Sequence, residues 1–286
     1  MADENSFIFD RRLLRARRAR AAALGPSTFI VDRVAEDLAD RLAAVRRHFD
    51  RAVDLDAPTD AVRRVLAESG KVGSVLAVAA DSEALPFAEA SLDLVVSMLA
   101  LQHVNDLPGT LIQIRRALRP DGLFLAALAG SSTLTELRQS FAIAESEVEH
   151  GISPRVAPFA DLRDLGGLLQ RAGFALPVTD IDRLTVRYAD PLALMHDLRR
   201  MGATNVLIER SRRPLRRSTL ARMMEVYGSR FADADGRIRA TFEIVWLSGW
   251  AAHQSQQRPL RPGSAQRRLA DALGTREIST GEKAGG

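Results

Sequence analysis

The chain has 286 residues, of which 46% are hydrophobic and 27% are charged. This composition is typical of a globular protein and excludes a disordered or fibrous chain, because the apolar residues are numerous enough to bury a core. The absence of cysteine excludes a disulfide framework, a cysteine-ligated zinc or iron–sulfur site and a thiol nucleophile. The longest apolar run, residues 123–128, is far shorter than the roughly 18 residues that a membrane span needs.

Arginine dominates the basic residues. Lysine and arginine total 40, and only Lys71 and Lys283 are lysines. Against 36 acidic residues the net charge is +4, which is less than a general nucleic-acid binder usually carries. We therefore expect no nucleic-acid partner and attribute the arginine excess to a GC-rich coding sequence.

The N-terminal segment, residues 7–23, predicts a basic amphipathic helix, because six arginines alternate there with short apolar residues. It is arginine-rich and acid-poor, as a transit peptide is, but it lacks the apolar centre of a secretory signal. We interpret it as a solvated surface helix and expect a cytoplasmic protein. Apolar residues at helical spacing predict a second helix over residues 29–49.

Beyond residue 50, short apolar strands alternate with helices. The predicted strands cover residues 52–55, 75–80, 92–98 and 123–128, and the predicted helices cover residues 61–69 and 107–118. The turn Arg119-Pro120-Asp121-Gly122 ends the second of these helices. This alternation predicts a parallel sheet with helices on both faces.

The second half of the chain is richer in helices. They are predicted over residues 134–149, 159–172, 191–201 and 214–230, with strands over residues 179–188 and 239–250. The polar, Gly-rich composition after residue 254 predicts mobility. We expect an N-terminal helical segment at residues 1–50, a main domain at 51–265 and a mobile tail at 266–286.

Four segments carry a family resemblance. They are ADSEALPFAEASLDLVVSMLALQHVND at residues 80–106, ALRPDGLFLAALAG at residues 117–130, and residues 132–174 and 240–265. The first two resemble the third to fifth strands of class I S-adenosylmethionine (SAM) methyltransferases. The last two are similar to the branch that includes mitochondrial complex I assembly factor 5 and is related to the malonyl-carrier-protein methyltransferase of biotin synthesis. The N-terminal FDRRLLRARRARAA resembles bacterial, specifically alphaproteobacterial, members of that branch.

The resemblance implies a Rossmann-like α/β fold with a seven-stranded, mostly parallel sheet whose last strand is antiparallel. The sequence pattern predicts six strands, so we expect one strand–helix unit to be missing near the start. Only residues 61–74 separate the first strand from the next, which leaves room for one helix and a turn. In the family, the missing strand ends in the acid that holds the ribose hydroxyls of SAM.

The resemblance also implies SAM as cofactor, bound at the carboxyl ends of the first strands. The positions that match the family's cofactor site are Asp54, Asp81, Ser97, Met98 and Leu99. The family's glycine-rich turn is altered here, with Asp56, Pro58 and Asp60 at its three glycine positions. Two added carboxylates and a residue without an N–H oppose binding of the methionine carboxylate. We interpret Asp56-Ala57-Pro58 as an ordinary helix start and predict weak or absent SAM binding.

The loop Gln102-His103-Val104-Asn105-Asp106 lies where substrate and cofactor meet in this fold. His103 is a candidate catalytic base, because the reference pKa of histidine lies near neutrality. The alternative is that Asn105 and Asp106 only cap the next helix. The candidate substrate-side residues are Gln102, Asn105, Glu136 and Arg138, although Glu136 and Arg138 equally suit capping and pairing. The five histidines form no metal-binding motif.

Two charged clusters each have two interpretations. Glu145, Glu147, Glu149 and His150 suit a solvated helix face or the rim of a substrate mouth. The basic run at residues 209–222 suits a solvated helix start or a site for phosphate or carboxylate groups. We favour the solvated interpretation for both.

Two functional hypotheses follow from these observations. In the first, a methyltransferase-family protein with lost or weakened SAM binding assists assembly of respiratory complex I by binding one of its subunits. In the second, an active methyltransferase modifies a carrier-bound acid or a protein. The two differ in whether SAM is needed.

Overall fold

The computed structural model describes residues 7–79, 84–256, 271 and 274–276. The helices are α1 (Arg11–Ala23), α2 (Phe29–Ala44), α3 (Ala61–Glu68), α4 (Leu107–Ala117), α5 (Thr135–Glu149), α6 (Leu162–Arg171), α7 (Pro191–Arg200) and α8 (Arg217–Phe231). The strands are β1 (Phe49–Leu55), β2 (Val72–Val78), β3 (Leu92–Met98), β4 (Leu118–Ala129), β5 (Ala175–Tyr188) and β6 (Ile238–Trp250). Of the helices in these ranges, none is both long enough and apolar enough to cross a bilayer.

The strands form one sheet in the order β2-β1-β3-β4-β6-β5. Strand β1 pairs in parallel with β2 and β3, and β3 pairs in parallel with β4. Strand β6 runs antiparallel between β4 and β5. The predicted α/β fold, mostly parallel with an antiparallel last strand, is confirmed.

Strand β2 pairs directly with β1, from Phe49 opposite Val72 to Leu55 opposite Val78. One helix, α3, connects these two strands. The sheet of the described residues therefore has six strands, with no further strand–helix unit between β1 and β2. Leu76 on the edge strand β2 is 57% exposed, whereas β1 is buried from Ala52 to Leu55.

The chain divides into two compact units, Met1–Ala252 and His253–Gly286. The first unit contains every helix and strand named above, so the N-terminal helices belong to the same unit as the sheet. The predicted boundary at residue 50 stays a prediction. The buried residues on α1 and α2 include Leu14, Ala21, Val34 and Leu38.

At the N-terminus the predicted helix forms, but the prediction that it is solvated is wrong. Helix α1 forms, but Leu14 and Ala21 on it are buried. The segment before it is also fixed, because Asn105 Oδ1 accepts hydrogen bonds from the amides of Ile8 (2.9 Å) and Phe9 (2.8 Å). Asn105 Nδ2 also donates to the Phe9 carbonyl at 3.2 Å.

The second helix is shorter than predicted. Helix α2 ends at Ala44, because Phe49 already pairs with Val72 in the sheet. The end of α2 is held by Lys71, whose Nζ donates to the carbonyls of Leu42 (2.6 Å) and Ala43 (2.8 Å). A cation at a helix C-terminus satisfies carbonyls that have no partner within the helix and is favourable to the helix dipole.

The predicted turn at residues 119–122 lies within the long strand β4. Helix α4 does end just before it, but Leu118 already pairs with Leu92. Asp121 adopts a left-handed φ of 65° and donates its amide to Ala251. Ala251, just beyond β6, in turn donates its amide to the Gly122 carbonyl at 2.8 Å, so this part of β4 is tied to the end of β6.

The acidic end of α5 is more than a solvated face. Glu145 is buried, and its carboxylate accepts from Arg155 Nε at 2.6 Å and Ser153 N at 2.8 Å. Glu147 accepts from Arg222 Nε at 2.6 Å, so a member of the basic run joins α8 to α5. That helix begins at Arg217, and residues 209–216 precede it.

Candidate functional site

A cavity of about 430 Å³ lies at the carboxyl ends of β1, β3 and β4. The strand ends contribute Pro58, Thr59, Leu99 and Ala129 to its wall. Its remaining walls are mostly apolar and include Leu14, Ile30, Leu137, Phe141, Leu198 and Phe242. Ligands of open α/β sheets bind outside these strand ends, and this volume is within the range of small-molecule sites.

The turn after β1 keeps one property of a glycine turn. Asp56 has a φ of 60°, a left-handed conformation that glycine adopts at little cost and that other residues seldom adopt. Its amide donates to the Val78 carbonyl at 2.8 Å, which fixes the turn against β2. The backbone path of a glycine is therefore retained by a residue that carries a carboxylate.

The carboxylate of Asp56 pairs with an arginine from the N-terminal helix. Arg18 Nη1 on α1 lies 2.9 Å from Asp56 Oδ2, and the two side chains are only 28% and 14% exposed. Arg18 also lines the cavity. The added charge that we expected at this turn is thus neutralised by a guanidinium group that would otherwise be available to an anionic ligand.

Our interpretation of Asp56-Ala57-Pro58 as the start of a helix is wrong. Helix α3 begins at Ala61, with Asp60 as its N-cap residue and no hydrogen bond from that side chain to the helix amides. Thr59 Oγ1 accepts from the Ala61 amide at 3.2 Å. The Asp56 carboxylate does not cap the helix, because it pairs with α1.

Asp54 is a buried carboxylate at the end of β1. It is 4% exposed, and its Oδ1 has no hydrogen-bond partner among the described residues. Burial is the largest of the effects that together raise the pKa of Asp54 to about 6; the Ala57 amide and Arg63 act to lower it, and the Asp56 carboxylate acts to raise it. Arg63 Nε is 4.0 Å from its Oδ2.

The other predicted cofactor residues divide into three groups. Ser97 and Met98 are buried in β3, and Ser97 Oγ donates to the Leu55 carbonyl at 3.0 Å. Leu99 lines the cavity with a φ of 54°. Asp81 lies outside the described residues.

His103 lines the cavity on the short 3-10 helix Leu101–His103. Burial, followed by the charges of Arg18 and Arg11, lowers its pKa to about 3. The imidazole is therefore neutral near pH 7 and weakly basic. Its Nδ1 has no partner among the described residues, and its ring makes an edge contact with Phe9 at 5.5 Å. Its catalytic role stays a prediction.

The candidate substrate-side residues have different surroundings. Gln102 lines the cavity; its Nε2 donates to the Leu99 carbonyl at 2.8 Å, and its Oε1 has no partner in the described part of the chain. The side chain of Asn105 holds Ile8 and Phe9, as described above. Asp106 caps α4 by accepting from the Gly109 amide, so this half of the capping interpretation is confirmed.

Glu136 and Arg138 pair with neighbouring elements. Glu136 is buried and accepts from the amide (3.1 Å) and hydroxyl (2.5 Å) of Thr241 on β6. Arg138 donates to the carbonyls of Ser131 and Thr133, both at 3.2 Å. These contacts are those of the capping and pairing interpretation, and neither residue lines the cavity.

As arranged here, the turn after β1 fits the methionine end of SAM poorly. That end carries a carboxylate, and the guanidinium group of Arg18 on the cavity wall is already paired with Asp56. Pro58 offers no N–H at the cavity wall. The described residues contain no group of three His, Asp or Glu side chains placed to hold a metal ion.

Comparisons with known proteins show the family of this chain. Residues 35–126 match a family model described as a methyltransferase domain. The chain is 39% identical over 280 residues to the human protein named arginine-hydroxylase NDUFAF5, mitochondrial, an alignment that covers 90% of this chain and 81% of the relative. The chain belongs to the class I SAM-dependent methyltransferase superfamily.

Two further relatives show the breadth of this family. NDUFAF5 of Danio rerio is 36% identical over 286 residues, which cover 92% of this chain and 89% of the relative. The malonyl-[acyl-carrier protein] O-methyltransferase of Gallionella capsiferriformans is 32% identical over 278 residues, which cover 86% and 92% respectively. Both branches named from the sequence are therefore represented among the relatives of this methyltransferase-family chain.

Sequence reasoning missed Arg18 and Arg155 as residues of the site. Arg18 is one of six arginines in the N-terminal segment, and the composition of that segment does not distinguish it from the others. Arg155 lies in a loop and lines the cavity while its guanidinium pairs with Glu145. Helical spacing places Arg18 on the same face as Leu14 and Ala21, and this was the one available signal.

Proposed function

We propose that this methyltransferase-family protein has weakened SAM binding and acts in the assembly of respiratory complex I by binding one of its subunits. The observation that carries the first part is the ion pair between Asp56 and Arg18 at the cofactor turn. The second part is supported by 36–39% identity to NDUFAF5 proteins over at least 90% of the chain. A cytoplasmic location and a bacterial source stay predictions.

The electrostatics of the turn support weak SAM binding. A methionine carboxylate that approached Arg18 would have to compete with Asp56, which is covalently part of the turn and already in contact. The Asp54 carboxylate adds a second repulsive charge once it is ionised. Two like charges about 4 Å apart repel by roughly 1–4 kcal/mol at effective dielectrics of 80 to 20.

Calorimetric titration of SAM into the full-length protein tests the cofactor part. We expect no saturable binding in the micromolar range, and a micromolar dissociation constant would overturn this part. Glycine at positions 56, 58 and 60 is the matched variant. Restored SAM binding in that variant would locate the defect in the turn, whereas no restoration would locate it in the missing strand–helix unit.

Copurification from the native cell tests the assembly part. A tagged full-length protein should enrich a complex I subunit relative to a tag-only control, and its deletion should lower the amount of assembled complex I on native gels. Normal complex I in the deletion strain, with no subunit enriched, would contradict the proposal.

The second candidate is an active methyltransferase on a carrier-bound acid or a protein. It is favoured by the alignment with a malonyl-[acyl-carrier protein] O-methyltransferase over 92% of that relative and by the glycine-like φ of Asp56. Transfer of a labelled methyl group from SAM to a carrier-bound acid or a protein by the purified chain would support it. Absence of SAM binding would exclude it.

A further inference from the structure

The charged residues on the cavity wall are already paired. Its arginines are Arg18, Arg155 and Arg200, and the described residues contribute no aspartate or glutamate to the lining. Arg18 pairs with Asp56 at 2.9 Å and Arg155 with Glu145 at 2.5 Å. Arg200 Nε donates to the Gly25 carbonyl at 2.8 Å, with Asp197 3.9 Å from its Nη1.

Uncharged polar groups on the same wall lack partners. Gln102, His103 and Thr204 all line the cavity. In each residue one buried atom, Oε1, Nδ1 or Oγ1 respectively, has no hydrogen-bond partner among the described residues. Buried polar atoms are nearly always hydrogen-bonded, and those that are not call for an explanation such as a bound molecule.

Most of the remaining wall is apolar, with leucine, isoleucine, phenylalanine and methionine side chains from α1, α2, α5, α7 and β6, and the other polar residues on it, such as Thr28 and Thr133, are also uncharged. A cavity of this kind binds the apolar part of a ligand by burying its apolar surface, and a few polar groups on the wall orient the ligand. An ionised carboxylate or ammonium group would lose its hydration there without gaining an unpaired counter-ion, which is strongly unfavourable.

We propose that this cavity binds an uncharged molecule with an apolar body and an amide-like hydrogen-bonding group, and that Asp56 sets this preference by neutralising Arg18. Without the Asp56 carboxylate, Arg18 would be an unpaired cation on the wall, and the cavity would accept a carboxylate. The specificity for charge thus depends on one residue at a former glycine position. The inference goes beyond the assembly role and does not depend on it.

Three probes that share an alkyl chain and differ in their head group test the proposal: octanamide, octanoate and octylamine. Calorimetric titration into the full-length protein at pH 7.5 should show that octanamide binds about tenfold more tightly than either charged probe. A bulkier wall residue, Met195→Trp, should weaken octanamide binding and thereby place the probe in the cavity. Failure of octanamide to bind, or tighter binding of octanoate or octylamine to the wild type, would overturn the proposal.

The role of Asp56 has its own variants. Asp56→Gly and Asp56→Asn both suit a left-handed residue, so the turn should survive either change. Each should raise octanoate affinity by about tenfold relative to wild type, and Arg18→Gln added to Asp56→Gly should abolish that gain. Unchanged octanoate affinity in correctly folded Asp56→Gly would refute the assignment of charge preference to Asp56. None of these measurements depends on SAM binding or on complex I assembly. This proposal can therefore fail while the proposed function stands, and the reverse.

Discussion

At the scale of residues, the site is governed by charges that are buried and by the partners available to them. Arg18 affects two residues of the site. It pairs with Asp56, and its charge, after burial and together with that of Arg11, lowers the pKa of His103. The low pKa of His103 makes it a hydrogen-bonding group more than a base near neutral pH. The predicted catalytic residue therefore has an environment that its sequence neighbours do not reveal.

Asp54 gives a pH dependence whose sign follows from its raised pKa. The folded state holds the Asp54 proton up to about pH 6, whereas an unfolded aspartate loses it near pH 3.9. The stabilising effect of the bound proton is present below the unfolded pKa and is lost as pH rises toward 6, so stability should fall over this window. The loss is of order 2–3 kcal/mol, since each pKa unit corresponds to about 1.4 kcal/mol.

Asp54→Asn should remove this fall, because asparagine does not titrate. Urea unfolding of the variant and the wild type between pH 4 and 7 measures the difference in the free energy of unfolding. Asp93→Asn is the matched control, since Asp93 also lies on a buried strand but pairs with Arg119 at 3.1 Å. An identical pH dependence in wild type and Asp54→Asn would contradict the prediction.

At the scale of elements, helix α1 is a wall of the cavity and is held there by contacts at its N-terminal end. Asp10 caps it by accepting from the Leu13 amide at 2.9 Å and donates its own amide to the Val206 carbonyl at 2.9 Å. Asn105 fixes the two residues before the cap. The helix position thus depends on loops that follow β3 and α7.

Asn105→Ala should loosen the start of α1. It leaves the exposed amide of Ile8 and the part-buried amide of Phe9 without their acceptor, and a typical intramolecular hydrogen bond contributes about 0.5–1.5 kcal/mol. Faster hydrogen exchange at residues 8–14 is expected, with exchange in β3 and β4 unchanged. Asn105→Asp keeps the acceptor and loses the donor to the Phe9 carbonyl, so its exchange should be intermediate. Equal exchange in wild type and Asn105→Ala would show that Asn105 does not hold this segment.

At the scale of the whole molecule, the sheet and all of the helices named above lie within Met1–Ala252. The same unit includes the helix that completes the cavity. Burial of Leu14 and Ala21 makes this helix part of the core, although its composition is that of an exposed one. The fold is therefore sensitive to loss of the N-terminal segment.

A chain that lacks residues 1–24 should be destabilised, because it exposes the apolar wall that α1 covers; burial of one leucine side chain alone contributes about 1.5–3 kcal/mol. Calorimetry of this truncation, with the full chain as control, measures the effect. Equal stability after removal of residues 1–24 would contradict the structural role of α1.

The sequence by itself determined the fold class, the order of the elements and the shortened cofactor half. Buried parallel strands such as β1 and β3 are read from a local pattern, since short apolar runs bounded by turns specify them. The substitutions at Asp56, Pro58 and Asp60 are equally visible without coordinates. The limits of strands and helices were predicted less well. The second helix was predicted to end at residue 49, but α2 ends at Ala44 because Phe49 pairs with Val72 in the sheet.

Only the tertiary structure decided which charged residues form ion pairs. The pairs Arg18–Asp56 and Arg183–Glu243 join residues 38 and 60 positions apart, and no local spacing signals them. The same is true of Glu136, which the sequence left open between a substrate contact and a pairing role. Hydrophobic periodicity follows from the local chain, whereas ion pairs and cavity walls depend on which distant elements pack together.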